Sequence, residues 1–493
     1  MSFKRCFGLV KSTFLRQIRF NSNDQSKHGF VIGIFEDDDS NSPKLTPIGE
    51  KVDDICSGGL SEIVNGCEIT GQLSKGIILK NIHQEFKNIA IVGVGPEDIG
   101  LDECGMIDEG LENVRIAAGV GARCLQRHGC DVIFVDSMDF PQQAAVGSTL
   151  AMWQEKLDNM ENTSLLPRIQ FLDHNDEEEW RSGEFKAESQ ILSRFLTEIL
   201  NSELTALNFL EGAVDILMRY GITVNTRSEN WMKFTALNSF LRITNPISKE
   251  PPVILEASYW GTDPKERPVV LYAKGITFNA DDDFHCCCYD KYCTSMAGAA
   301  LVIAVLQASA GLRLPINLSV VIPLCSYTAN MSHCTNIDNK PSNKTSFLIS
   351  DPDRSGMKTL LYAQYAYKPR LIIDIRALEA EIDGTLEDGI TGIFSNSCEM
   401  WKEFKIAGWI TGNRMRRLPL WQLYDRVRFN NGIFQDTSIP NQQGFVHAIS
   451  AKILNQFLPR IDWVQFGIYG EKMPGRSTLT LIQFLYQLTT LKP

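Results

Sequence analysis

The densest group of chemically reactive side chains lies between His285 and Cys293, where an imidazole precedes the adjacent cysteines Cys286, Cys287 and Cys288. Thiolate and imidazole ligands suit zinc. Adjacent cysteines rarely bind the same ion, because neighbouring side chains on an extended strand point to opposite faces. The spacing leaves a zinc site and a partly buried thiol-rich loop as interpretations, and it favours the loop.

Motifs of other hydrolases and of nucleotide-binding proteins are missing. The sequence has no G-x-S-x-G elbow, no H-E-x-x-H pair and no Walker A loop. The acidic runs at 36–39 and 281–283 lack the glycine and spacing of an EF-hand, which favours solvated loops. Gly93 and Gly95 follow an apolar run, but no third glycine opens a helix there, so we expect no dinucleotide cofactor.

Length and charge narrow the class of protein. A chain of 493 residues favours two domains over one. The net charge of −11 argues against nucleic-acid and anionic-membrane partners, and no apolar run is long enough to predict a transmembrane span. The 13 cysteines occur without a secretory signal, so we expect reduced thiols rather than disulfides.

The first 23 residues differ in composition from the rest. They are basic and contain no acid, and Phe3, Phe7, Val10, Phe14 and Ile18 form an apolar stripe at helical spacing. This combination is typical of a mitochondrial presequence. The alternative is a disordered basic tail. We therefore predict a presequence over 1–23 and a location in the mitochondrial matrix.

The elements that must position any site alternate between strands and helices. Short apolar runs at 30–35, 89–94 and 132–135 predict buried strands, and 106–125 predicts a helix, within a first β/α domain over 28–175. A polar stretch at 174–179 predicts a linker, followed by a connecting helix over 180–200. Further strands at 269–271, 318–322, 371–375 and 463–468 predict a larger α/β domain over 201–493 with a mixed central sheet.

Motifs of this second domain occur in a fixed order. They are K-G-I-T-F at 274–278, M-A-G-A-A at 296–300, L-P-I-N at 314–317, P-L-C at 323–325, T-G-I-F-S-N-S at 391–397, L-P-L at 418–420 and G-R-S-T at 475–478. In order and spacing they resemble the leucine aminopeptidase (cytosol aminopeptidase) family. The first half, with M-I-D-E-G at 106–110, resembles the insect sperm leucyl aminopeptidases, many of which lack a complete metal site.

The resemblance implies two divalent ions, manganese or zinc, that polarise a peptide carbonyl group and activate a bridging water. The family's ligands are, in chain order, a lysine, three aspartates and a glutamate. Those positions carry Lys274, Asn279, Ser295, Asp353 and Ser355 here. The second catalytic lysine falls near Cys286, and the arginine that holds bicarbonate falls on Met357.

Asp353 is therefore the carboxylate that remains, and one carboxylate cannot neutralise two dications. Unpaired buried charge costs several kcal/mol per ion, so we expect the two-metal site not to form and no cofactor to bind. The remnants also have structural interpretations. Ser295 suits the cap of a helix beginning at Met296, and Asp353 suits a turn after Pro352. Lys274 would pair with Asp353 or extend to solvent.

Three functions remain open. The first is a non-catalytic, structural or scaffolding protein of mitochondria, which by resemblance would be sperm mitochondria. The second is a metal-dependent aminopeptidase that has rebuilt its manganese or zinc site. The third is a module that binds peptides without cutting them. The resemblance also implies a homo-oligomer, specifically a hexamer.

Overall fold

A computed structural model describes residues 27–36, 43–67, 69–153, 166–173, 176–199, 205–235, 237, 241, 250–279, 289–328, 352–377, 389–421, 461–468 and 475–490. Side chains are described throughout these ranges except at 198–199, 276–279, 289–295, 326–328, 352–358 and 377. The chain divides into two compact units. Unit 1 comprises Met1–Ile191 with Trp409–Gly412, and unit 2 comprises Leu192–Gly408 with Asn413–Pro493.

Unit 1 is an α/β unit. Its strands are β1 (His28–Glu36), β2 (Lys44–Leu45), β3 (Gly76–Lys80), β4 (Asn88–Pro96), β5 (Val132–Val135) and β6 (Arg168–Phe171). Its helices are α1 (Pro47–Ile55), α2 (Gly59–Gly66), α3 (Glu109–Arg127), α4 (Pro141–Ala151) and most of α5 (Glu177–Ile199). Among the described residues the strands form one six-stranded sheet in the order β3-β4-β1-β5-β6, with β2 beside β1. Strands β4, β1, β5 and β6 run parallel.

The strands predicted for unit 1 are confirmed as β1, β4 and β5. In β1, Val31 and Ile32 are both fully buried, and they belong to separate apolar clusters. Successive side chains of a strand point to opposite faces, so both faces of this sheet are covered. This is why the strand is a continuous apolar run rather than an alternating one.

The glycines of the G-x-G sequence serve backbone packing. A Cβ atom on Gly93 would lie 2.0 Å from the carbonyl oxygen of Gln72, and Gly95 has a φ of +86°. The amide of Gly95 donates to the carbonyl oxygen of Gly71 at 2.9 Å. Close approach and a left-handed backbone both require glycine, which accounts for the motif.

Unit 2 is the larger unit. Its strands are β7 (Thr223–Arg227), β8 (Val253–Trp260), β9 (Val269–Ala273), β10 (Gly275–Asn279), β11 (Asn317–Thr328), β12 (Leu371–Ala377), β13 (Ile390–Ser395), β14 (Arg414–Arg417) and β15 (Asp462–Ile468). Its helices are α6 (Ala206–Arg219), α7 (Glu229–Phe234), α8 (Tyr289–Gly311), α9 (Pro352–Tyr367), most of α10 (Cys398–Thr411) and α11 (Arg476–Thr490).

The sheet of unit 2 is mixed, as predicted. Among the described residues its nine strands follow the order β14-β13-β15-β12-β9-β11-β8-β7, and β10 pairs with β11 beyond β9. Strands β15, β12, β9 and β11 are parallel. Strands β8 and β13 are antiparallel to the neighbours that join them to this parallel group. No described helix is long and apolar enough to cross a membrane.

Two predicted helix boundaries are wrong. The stretch at 174–179 is not a linker throughout, because α5 begins at Glu177; acidic residues in a first turn favour the helix dipole. Helix α8 begins at Tyr289 rather than Met296, so Ser295 lies inside the helix and does not cap it. No glycine or proline stands between Tyr289 and Met296 to stop the helix.

Candidate functional site

The candidate site lies at the carboxyl ends of parallel strands in unit 2. Lys274 is the single residue between β9 and β10, and it is half-buried. Gly275 follows, and a Cβ atom there would lie 2.4 Å from Leu324 on β11. Strands β9 and β10 both pair with β11 in the same parallel register, Tyr272 with Val321 and Gly275 with Leu324. The K-G-I-T-F sequence therefore continues β9 along β11, and Lys274 lies at the interruption.

The other predicted ligand positions fall on three elements. Asn279 ends β10, Ser295 lies in α8, and Asp353, Ser355 and Met357 lie in the first two turns of α9. The side chains at these positions are outside the description, and Cys286 and its neighbours 285, 287 and 288 lie outside the described residues. The prediction that Asp353 occupies a turn is wrong. Helix α9 starts at Pro352, which suits a first helical position because it lacks the amide hydrogen that would go unbonded there.

Helix α9 is fixed to the sheet by a hydroxyl pair. The Tyr272 Oη and Thr359 Oγ1 atoms are 2.7 Å apart, and both residues are fully buried. Tyr272 lies on β9, two residues before Lys274. A buried hydroxyl needs a partner, and each of these groups supplies one to the other.

A buried carboxylate holds the same helix further along. Glu256 of β8 is 1% exposed and accepts hydrogen bonds from Arg227 Nε at 2.9 Å and from the hydroxyl of Tyr362 on α9. The Arg227 guanidinium also lies 4.9 Å from the ring centroid of Trp231. Burial, followed by the hydrogen bond to Glu256, raises the pKa of Tyr362, so this hydroxyl stays protonated and donates.

A second buried ion pair lies on β12. Arg376 Nε donates to Asp374 Oδ2 at 2.8 Å, and the two side chains are 8% and 0% exposed. Sequence analysis missed this pair and the Glu256 pair. The signal was present, since E in V-I-L-E-A and D-I-R in L-I-I-D-I-R place charge inside otherwise apolar strands, and buried charges need partners.

The predicted ligand side chains at 279, 295, 353 and 355 lie outside the description, and the described side chains form no metal site of their own. None of them form a group of three or more histidine, cysteine or acidic side chains that could hold a metal ion. Cys325, from the P-L-C sequence, lies beside Ile276 in register, and burial raises the pKa of its thiol to about 12, so the thiol is protonated at neutral pH. What the described side chains bring to this end of the sheet is an amine, Lys274, and a guanidinium, Arg376.

Comparison with known proteins agrees with the fold. The model described as "Cytosol aminopeptidase family, catalytic domain" matches residues 191–481, and "Cytosol aminopeptidase family, N-terminal domain" matches 31–156. The chain is 29% identical to cytosol aminopeptidase of Bos taurus, over 94% of this chain and 93% of the relative. Its fold is similar to a tomato leucine aminopeptidase mutant, with a TM-score of 0.72, 17% identity and 95% of each chain covered. It is also similar to the bottromycin maturation enzyme BotP in complex with Mn, with a TM-score of 0.69, 16% identity and coverage of 94% of this chain and 100% of that one.

Proposed function

The chain belongs to the cytosol aminopeptidase family, and we propose that it is a non-catalytic member with a structural or scaffolding role in mitochondria. The observation that carries the proposal is the chemistry of the ligand positions. By the resemblance, Asn279, Ser295 and Ser355 occupy positions at which the family motifs have carboxylates. Hard dications require such oxygen anions. Without these carboxylates, the site lacks the negative charge that would offset the free-energy cost of dehydrating the ions.

The contacts of α9 support this proposal. This helix carries positions 353, 355 and 357, and it is fixed through Thr359 and Tyr362 to Tyr272 and Glu256. These contacts are a hydroxyl pair and a charge-assisted hydrogen bond, both made between side chains of the protein. The helix therefore has its own means of staying in place while its first turns lose their ligands.

Location and assembly complete the proposal. The basic, acid-free segment at 1–23 lies outside the described residues, and its composition supports import into the mitochondrial matrix. By resemblance, the protein assembles as a hexamer in sperm mitochondria. Light scattering in the presence of a chelator tests the assembly. We expect hexamers, because subunit contacts rather than metal would hold them, whereas hexamers that form only with metal would support a rebuilt site.

Metal content and turnover test the central part of the proposal. Full-length protein is dialysed and its manganese and zinc are quantified, and hydrolysis of a leucyl anilide is measured with each metal added. We expect neither bound metal nor turnover above background. Cytosol aminopeptidase of Bos taurus, treated in parallel, is the positive control for metal retention and assay.

Two results would redirect the proposal. Metal-dependent turnover that is lost in Lys274→Ala would establish the rebuilt-site enzyme. Binding of leucyl peptides in calorimetry, without their hydrolysis, would establish the peptide-binding module.

A further inference from the structure

Arg376 and Lys274 each follow the last residue pair between the central strands β12 and β9. Ile375 on β12 pairs with Ala273 on β9, and each strand continues with its cation, Arg376 or Lys274. Asp374 pairs with Tyr272 one residue earlier. Because residues paired in register share a face of the sheet, Asp374 and Arg376 lie on the face of Tyr272, which is the face that α9 covers through Thr359.

The positions of Arg376 and of residue 355 can be compared by their distances along the strand direction from the level of Thr359 and Asp374. Helix α9 connects the parallel strands β11 and β12, so its first turns lie toward the carboxyl ends of the strands. Ser355 precedes Thr359 by four residues, which is about 6 Å along a helix. Arg376 follows Asp374 by two residues, which is about 6.6 Å along a strand. Arg376 therefore lies at the level of the position that corresponds to the family's metal-bridging glutamate.

We propose that Arg376 is a built-in cation that replaces metal charge at this end of the sheet and keeps divalent ions out. The inference rests on the proposed loss of the metal site. A guanidinium stays protonated at every physiological pH, and Asp374 holds this one in place by a buried hydrogen bond at 2.8 Å. A dication entering at the level of position 355 would be repelled by it across a low-dielectric region. Asp374 precedes Arg376 by two residues and lies further from that level, so its charge offsets the repulsion only in part.

A consequence is that restoring the lost carboxylates does not by itself restore metal affinity. In the background Asn279→Asp, Ser295→Asp, Ser355→Glu, the charges that would attract a dication return, but Arg376 remains. Removing the guanidinium in that background is expected to strengthen Mn²⁺ binding by at least about tenfold, the scale found for groups adjacent to metal ligands.

Calorimetric titration of full-length protein with Mn²⁺ tests this. In the restored background, Arg376→Met is compared with Arg376→Lys, which keeps the charge. We expect at least about tenfold tighter binding for the methionine variant and binding like the restored parent for the lysine variant. A merely structural arginine would change stability in both variants and metal affinity in neither.

Equal Mn²⁺ affinity with methionine and arginine at 376, including undetectable binding in both, would overturn the inference. If Arg376→Met fails to fold because Asp374 is left buried, Asp374→Asn/Arg376→Met removes both charges, and a smaller gain in affinity is expected because the carboxylate is lost together with the guanidinium. Failure of the proposed function is a separate result, since it is measured on the unmodified chain as bound metal or turnover.

Discussion

Each unit of the molecule buries an acid near the carboxyl end of a parallel strand, and the two acids are stabilised differently. In unit 1, Asp136 follows β5, is fully buried and accepts from neutral donors: the Thr46 hydroxyl, the Gly33 amide at 3.1 Å and the Met138 amide at 2.9 Å. In unit 2, Asp374 accepts from the Arg376 guanidinium.

The difference has an energetic meaning. Burial raises the pKa of Asp136 in spite of its hydrogen bonds, because neutral donors do not replace the solvation of a full charge. Asp374 instead has a fixed positive charge of the protein beside it. Unit 1 therefore shows a buried acid held by backbone and hydroxyl groups, and unit 2 shows a site where the protein has placed a permanent cation.

The largest effect is expected from breaking the unit 2 pair. Arg376→Met leaves Asp374 buried without its cation, which we expect to lower the free energy of unfolding by about 3–5 kcal/mol. Urea denaturation measures the change. The matched control Asp374→Asn/Arg376→Met removes both charges and should recover much of the loss; a double variant as unstable as the single one would show that packing, not charge, holds β12.

Loss of the hydrogen bond from Tyr362 to Glu256 should cause the second-largest decrease in the free energy of unfolding. Tyr362→Phe removes a donor to a buried carboxylate, so we expect a loss of about 1.5–3 kcal/mol. Tyr365 on the same helix is 75% exposed, and Tyr365→Phe is the control, expected to change stability by less than about 0.5 kcal/mol. Equal effects of the two substitutions would show that the hydrogen bond from Tyr362 to Glu256 does not hold α9 in place.

Removing the Thr46 hydroxyl, which donates to the buried acid of unit 1, should lower stability by a smaller amount. Thr46 caps α1 by accepting from the Gly49 amide at 3.1 Å, and its hydroxyl donates to Asp136. Thr46→Ala should cost about 0.5–2 kcal/mol, the range for loss of a helix cap, whereas Thr46→Ser keeps the hydroxyl and should stay close to the parent. A loss larger than that of Arg376→Met would show that the Thr46 hydroxyl in unit 1 contributes more stability than the ion pair in unit 2.

A separate prediction concerns the pH dependence of stability. Burial, with a further contribution from Glu184, raises the pKa of Glu188 on α5 from its ordinary 4.5 to about 7. The folded chain thus holds this proton more tightly than the unfolded chain, so the free energy of unfolding falls as pH rises from 4.5 through about 7. Glu188→Gln should reduce that slope in denaturation measured across this range, and Glu178→Gln, exposed on the same helix, should leave it unchanged.

Sequence reasoning predicted the strands well and the polar contacts poorly. Runs such as 269–271 and 371–375 are buried on both faces, so their composition alone predicts β9 and β12. The predicted helix starts were wrong where polar residues extend the helix toward its N-terminus, to Tyr289 in α8 and to Glu177 in α5. The pairing of Glu256 with Arg227 and Tyr362 depends on strand register and helix placement, which no local pattern encodes. The ligand positions came from family resemblance rather than from spacing.

The central claim is that this fold is held together without metal, and thermal unfolding of the full-length protein tests it most directly. An ion bound only to the folded state at 100 times its Kd would add about 2.7 kcal/mol of stability. We predict the same melting temperature in chelator, in Mn²⁺ and in Zn²⁺. A melting temperature that rises by several degrees with either metal, and no longer rises in Lys274→Ala, would contradict the account.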